Sequence, residues 1–424
     1  MSAVMASPAA SGSAGSIPAD PVRALQHALY RAAKADPGRR FHALMDKVIR
    51  SDVLWRAWVM VRSNNGAPGI DKITLADVEE YGIDRLLGEL ASELRERRYR
   101  PLPARRVLIP KPGTAEKRPL SIPAVRDRIV QAAAKIVLEP VFEADFLPCS
   151  FGFRPRLSAH DALQVPVEEC ARGRRWVVET DIASCFSAIP HDKLMEAVEE
   201  RICDQPVLKL LRAMLRAGVM EEGQVRREAA GTAQGGVISP VMCNVYLHRL
   251  DRAWDDRDGI LARYADDLIV MCWSRSQAEA ALERLTVLLA ALGLEPKAAK
   301  TRIVHLEEGG GGFDFLGFHH RLVALAGAER EEADRVPCQM ARGQGDAARP
   351  RPDQGTDRAP EAAAAAGGDR AGREHVPARV GRVLQVRPLG PPPQQDQAVR
   401  ADAARAVHQQ EAPPQPQFRL VRDA

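Results

Sequence analysis

The chain has 424 residues, 45% hydrophobic and 27% charged, ordinary for a soluble globular protein and long enough for two or three domains. Its formal net charge of +4 is too small to establish a nucleic-acid partner. Seven cysteines without a CxxC pair or Cys/His cluster argue against a zinc ribbon and for a reducing compartment; with no apolar run near the roughly 18 residues of a membrane span, a cytoplasmic protein without a membrane partner is expected.

In chain order, residues 1–20 are Ala/Ser/Gly/Pro-rich, with no basic start and no apolar core, and read as a flexible leader rather than a signal peptide. A helical pattern runs from Pro21 to about Trp58, and NNGAPGIDK (64–72) is a loop of turn residues. A helix ending near Arg98 follows, then two short strands, RRVLIPK and RPLSIP, joined by PGTAEK. This hairpin lies in a basic block: between Ala91 and Arg128 stand eleven Lys or Arg against four acids. Such a block is either a solvated face or a phosphate-binding surface.

DRIVQAAAKIVLEPVFEADF has helical spacing, and SFGFRPRLSAHDAL is a loop entering another helix. WVVETDIASCF reads as a buried strand with a polar end, HDKLMEAVEERI as a helix, and GTAQGGVISPVMCNVYLHRLDRAW as a glycine-rich turn feeding a helix. RYADDLIVMCW reads as two strands about a tight turn, QAEAALERLTVLLAALGL as an amphipathic helix, and KTRIVHL and FDFLGFHHR as strands. The order suits an α+β fold with an antiparallel sheet.

Asp181 closes an apolar strand, while Asp266 and Asp267 occupy a hairpin tip. Buried carboxylates are costly unless paired, so these are either turn residues in water or the walls of a cation site. Because strand side chains alternate in direction, only one of the adjacent pair can readily share a face with Asp181; Asp266 is the expected one. Two Mg²⁺ ions at such a site would serve phosphoryl transfer.

TDIASCFSAIPHDKL, GTAQGGVISPVMCNVYL, RYADDLIVMC, LGLEPKAAKTRIVHL and FDFLGF, in that order, resemble the successive motifs of group II intron-encoded reverse transcriptases, the maturases. NNGAPGIDK, VLIPKPGTAEKRPLSIPAVRDRIVQ and LEPVFEADFLPCSFGFRPRLSAHDAL resemble the family's extension and fingers motifs, so the likeness runs from about Leu54 to Phe318. It implies a right-handed polymerase, with an N-terminal extension and fingers over 21–175 and a palm over 176–325. Such an enzyme would use an intron RNA template, a DNA primer or target, and deoxynucleotides, with roles in splicing and intron mobility.

By the same resemblance Asp181, Asp266 and Asp267 would hold the two Mg²⁺ ions, with the Ile182 carbonyl as a further ligand. Phe186 would lie under the incoming sugar, excluding a 2′-hydroxyl, though core packing also accounts for it. Gln234 would contact the nucleotide, with Gly235 and Gly236 allowing close backbone approach; the family's usual proline is Ala233 here. Lys111 and Arg118 (or Lys117, since the turn is about one residue longer) would clamp the triphosphate. Lys300, unless merely solvated, would protonate departing pyrophosphate. Tyr264 would pack near the primer end, and His160 and His191 are read as structural.

The family continues into a helical thumb, or maturase, domain rich in aromatics and lysines. Here no Ile, Lys, Ser, Asn, Tyr or Trp follows Met340, so residues 326–424 form an aberrant tail that as written cannot bury a core. Shifting the codons by one base gives another reading. Met340-Ala341 then encodes Trp, Asp334 through Arg342 can encode IGFLARWP, and His408 through Gln415 can encode ISKKHRR. Arg419 through Asp423 can encode GWFV, and Arg382 through Asp396 permits a GWAGYFRYG-type string. These strings resemble the missing domain, so a one-base frame change between about Leu322 and Asp334 is expected. No HNH-like Cys/His module follows, so no endonuclease is expected. The alternatives are an RNA-binding splicing cofactor with vestigial polymerase activity, a retron, diversity-generating or CRISPR-associated transcriptase, and a decayed inactive copy.

Overall fold

The computed structural model describes residues 20–110, 117–221, 223–227, 229–232, 235–324 and 382–388. The expected leader and most of the aberrant tail lie outside them.

The first expected helix is three. Helix α1 (Pro21–Ala35) is capped by Asp20, whose carboxylate accepts from the Val22 and Arg23 amides. Pro37 and Gly38 end it, with Gly38 N–H donating to Asp36 Oδ1, before α2 (Met45–Val48) and α3 (Ser51–Ser63). The next expected helix is two, α4 (Leu75–Tyr81) and α5 (Ile83–Arg95), because Gly82 between them takes φ 101°. The basic hairpin forms as β1 (Ala104–Pro110) and β2 (Lys117–Ile122), in register from Arg105–Ile122 to Pro110–Lys117.

Helix α6 (Val125–Glu143) is buried along nearly its whole length and forms the spine of the helical half. Pro140 inside it has no amide to offer the Ile136 carbonyl. Gln26 of α1 supplies the missing donor, Nε2 to Ile136 O at 3.2 Å. Helix α7 (Ala159–Arg172) follows, then β3 (Trp176–Asp181), α8 (Cys185–Ala188), α9 (His191–Glu199) and α10 (Gln205–Arg216). A second hairpin, β4 (Val219–Glu221) and β5 (Gln224–Arg226), adds to the first through a parallel β1–β4 pairing, giving the order β2-β1-β4-β5. Its strands are only three residues long, too short to show a period in the sequence.

Helix α11 (Ser239–Ala253) leads into β6 (Ile260–Tyr264) and β7 (Asp267–Cys272); α12 (Arg275–Ala291) and β8 (Arg302–His305) complete the central sheet, order β6-β7-β3-β8, antiparallel throughout. Its strands are apolar on both faces because both are covered. The cross-strand pair Val178–Val270 enters the large helical core, while Val177–Met271 enters a smaller core with Leu163 of α7. The α+β class expected from the pattern is the one observed.

A third sheet, β11-β10-β9, contains β9 (Phe313–Phe315), β10 (Phe318–Ala324) and β11 (Arg382–Pro388). The tail was expected not to bury a core of its own. Strand β11 pairs with β10 from Ala324–Arg382 to Phe318–Pro388, and Leu384 is buried in the smaller core. VLQV within it is a short apolar stretch, which suits a strand. Among the described residues no helix is long and apolar enough to cross a membrane.

Candidate active site

Strand β3 ends and β7 begins on the same rung of the sheet, so Asp181 faces Asp267 directly across the ladder. This corrects the expectation that Asp266 is the partner. Tyr264 pairs with Asp267, leaving Ala265 and Asp266 as a two-residue turn outside the alternation that governs strands. Asp266 is still close, since its carbonyl accepts from Ile182 N–H at 2.9 Å. That bond and the burial of the Ile182 side chain pin residue 182 against the turn.

The three carboxylates converge electrostatically. Burial, a hydrogen bond to Asp181 and the charges of Asp181 and Asp266 push the Asp267 carboxyl up to about 8. Lys300 Nζ makes an ion pair with Asp181. Burial opposes the ammonium charge, but Asp181, with Asp267 and Asp266 beyond, raises Lys300 above the ordinary lysine value. The cleft here, about 660 Å³, is lined by Asp181, Asp267, Lys300, Thr301 and Arg302. A larger cavity of about 1050 Å³ lies beside α3, near Trp55, where Arg50 pairs with Asp52 and Arg56 with Asp20; it carries no comparable chemistry.

Hard carboxylate oxygens held together against mutual repulsion fit a divalent cation, which would relieve the cost that Asp267 records. Among the described residues no three His, Cys, Asp or Glu side chains already surround one point as a cage. The ammonium of Lys300, paired with Asp181, offsets part of the charge.

The turn is strained and anchored. Ala265 takes φ 57°, which a two-residue hairpin demands and glycine would supply more cheaply. Its carbonyl accepts from Arg263 Nη1 at 3.1 Å. Arg263 is fully buried and forms a bidentate pair with Asp251 (2.8 and 2.6 Å), while also donating to Asn244 Oδ1 and Ser150 Oγ. Sequence reasoning missed this network, because one arginine beside a turn reads as an outward side chain; its buried acid lies twelve residues earlier on α11.

Phe186 is half-buried on α8 and packs against the large core; its carbonyl accepts from Thr232 N–H at 2.6 Å, joining it to the glycine-rich loop. His191 Nε2–H donates to Gly231 O at 2.5 Å, the structural role expected of it. Gln131 of α6, also missed, accepts from Val237 N–H at 2.8 Å and holds the loop's far end. A Cβ at Gly235 would lie 2.6 Å from Ser121 O and 2.9 Å from Leu120 Cδ1, so the close approach it permits is to β2, and φ 113° requires glycine as well.

Gln234 and Lys111 lie outside the described residues. The Arg118 backbone pairs with Ile109 on the hairpin, and Lys117 is exposed one residue before it. Tyr264 is half-buried beside the turn, its ring tilted toward Phe153. His160 sits edge-on to Phe318.

The model of the reverse transcriptase (RNA-dependent DNA polymerase) family matches residues 109–320. The chain belongs to this family, to the kind encoded by group II introns. Protein YkfC of Escherichia coli (strain K12) is 34% identical over 364 residues, covering 75% of this chain and 93% of that protein. The group II intron-encoded protein LtrA of Lactococcus lactis subsp. cremoris is 34% identical over 232 residues, covering 55% of this chain and 38% of LtrA. An uncharacterized 91 kDa protein in a cob intron of Schizosaccharomyces pombe is 38% identical over 208 residues, 49% of this chain and 25% of that protein. The chain thus spans most of YkfC but well under half of the two intron-encoded proteins.

Proposed function

We propose that the protein is an RNA-directed DNA polymerase of a group II intron, copying an intron RNA template from a DNA primer with deoxynucleotides. Intron RNA binding in splicing and mobility would accompany this, in the cytoplasm. The observation that carries the reading is the pairing of Asp181 with Asp267 at a strained turn, with Asp266 and Lys300 converging on them.

Two Mg²⁺ ions held by Asp181, Asp266 and Asp267, with the Ile182 carbonyl, would activate the attacking 3′-oxygen and stabilise the leaving pyrophosphate. Lys300 keeps a proton at Nζ within reach of the same cleft, where it serves pyrophosphate departure. Phe186 and the loop tied to it by Thr232 form the wall of the nucleotide slot, and Lys117 or Arg118, with Lys111, meet the triphosphate.

Primer extension on an RNA template tests this. Asp181→Asn should lower extension at least ~1000-fold, and EDTA should abolish it. Native-level extension by Asp181→Asn would refute the reading. If spliced intron accumulates while the native chain makes no cDNA, the protein is a splicing cofactor instead.

A further inference from the structure

The segment 150–154 passes directly beneath the catalytic turn. Ser150 bridges to Arg263, Phe151 N–H donates to Arg263 O at 2.9 Å, and Asn244 Nδ2 donates to Gly152 O at 2.7 Å. Gly152 lies so close that a Cβ would come within 2.5 Å of Ala265 N and 3.2 Å of the Tyr264 ring. Arg154 anchors the other end, donating to Glu143, Leu147 O and Ser150 O.

Between these anchors stands Phe153. Its backbone takes φ 57°, and the residue is 47% exposed, its ring centroid 6.4 Å from that of Tyr264. A strained backbone presenting a large apolar ring to water is costly on both counts, and persists where the surroundings over-determine it, as at ligand clamps. Here the clamp is the same network that holds Asp266 and Asp267. Arg156, three residues on, is exposed and makes no ion pair among the described residues.

We propose that the exposed Phe153 ring, beside Tyr264 and tilted 43° to it, is a platform on which a nucleobase of the primer–template helix stacks next to the catalytic acids, with Arg156 meeting a backbone phosphate. The proposal rests on the polymerase reading. An aromatic face accepts any base, so the contact is indifferent to sequence, as copying requires. Rigidity matters as much as area: a ring fixed by its backbone loses little freedom when a base settles on it.

The test is binding of the full chain to a labelled RNA–DNA primer–template in EDTA, without turnover. Phe153→Ala should weaken binding about tenfold or more, Phe153→Tyr should bind like the native chain, and Phe153→Leu should stay weak, since bulk without a π face does not stack. Phe153→Gly accepts φ 57° without strain, so it should melt no lower than the native chain while binding as poorly as Ala. Arg156→Gln should reduce the salt dependence by about one counterion. Native-like binding by Phe153→Ala, or equal binding by Leu and Phe, overturns the platform. Because no incorporation is needed, a chain that binds through Phe153 but makes no cDNA even with its frame restored would refute the polymerase reading alone. An active chain with Phe153-independent binding would refute this inference alone.

Discussion

Arg263 and Asp251 form a bidentate ion pair with no exposed surface on either side chain, directly beneath the turn that carries Asp266 and Asp267. Breaking one side of such a pair leaves a buried charge without its partner, at a cost of about 3–5 kcal/mol. Asp251→Asn and Arg263→Leu should each lose about that much stability in urea unfolding. Arg263→Lys keeps the charge but not the planar fork, so the turn loses its hold on Ala265. Extension by Arg263→Lys should fall roughly tenfold or more. An unchanged unfolding midpoint for Asp251→Asn would show that the network holds nothing.

Gly235 touches the fingers strand, not open space. Gly235→Ala must shift Ser121 O or Leu120 and hold alanine at φ 113°, so a loss of about 1–3 kcal/mol is expected. The loop beside the nucleotide slot should move with it, raising the KM for deoxynucleotides more than the Kd for primer–template. If both constants stay native, the loop does not depend on this contact.

His248 sets an acid limit on stability. Burial pushes its imidazole down to about 4; Nδ1 has no hydrogen-bond partner among the described residues, and the ring lies edge-on to Phe146 at 5.6 Å. A group whose folded value is depressed contributes stability that is present above about 6.5 and lost as pH falls through about 4. His248→Phe keeps the ring and removes the proton site. It should therefore flatten the fall in melting temperature between pH 6.5 and 4, by the equivalent of on the order of 1–2 kcal/mol at the acid end. Parallel pH profiles for the two proteins would exclude His248 as a contributor.

The tail bears on activity through grip. A thumb holds the primer–template duplex by its backbone, and without it affinity and processivity should collapse even with an intact catalytic turn. The chain as written should therefore extend primers weakly or not at all, while a version with the frame restored between about Leu322 and Asp334 should be active. Equal product lengths from the two would refute the frame hypothesis. So would a nucleotide sequence whose shifted frame meets early stop codons.

The palm strands and the helices around them were readable because their signals are local. Apolar runs such as WVV and LIVMC mark strands covered on both faces, whereas the helix breaks at Pro37 and Gly82 were missed, a single helix being read across each. The β4–β5 hairpin was not readable, since three-residue strands carry no period. Nor was β11, whose partner β10 ends 58 residues before it begins.

By itself the sequence determined that Asp181 ends a strand, that Asp266 lies in a turn, and the ordered motif series that marks the family. Those follow from alternation, turn chemistry and composition within a few residues. Only the tertiary structure decided that Asp267 rather than Asp266 faces Asp181, that Lys300 enters the carboxylate cluster, and that Arg263 is neutralised by Asp251 beneath them. The register between strands eighty-odd residues apart is set by packing on both faces of the sheet, and no local pattern encodes it.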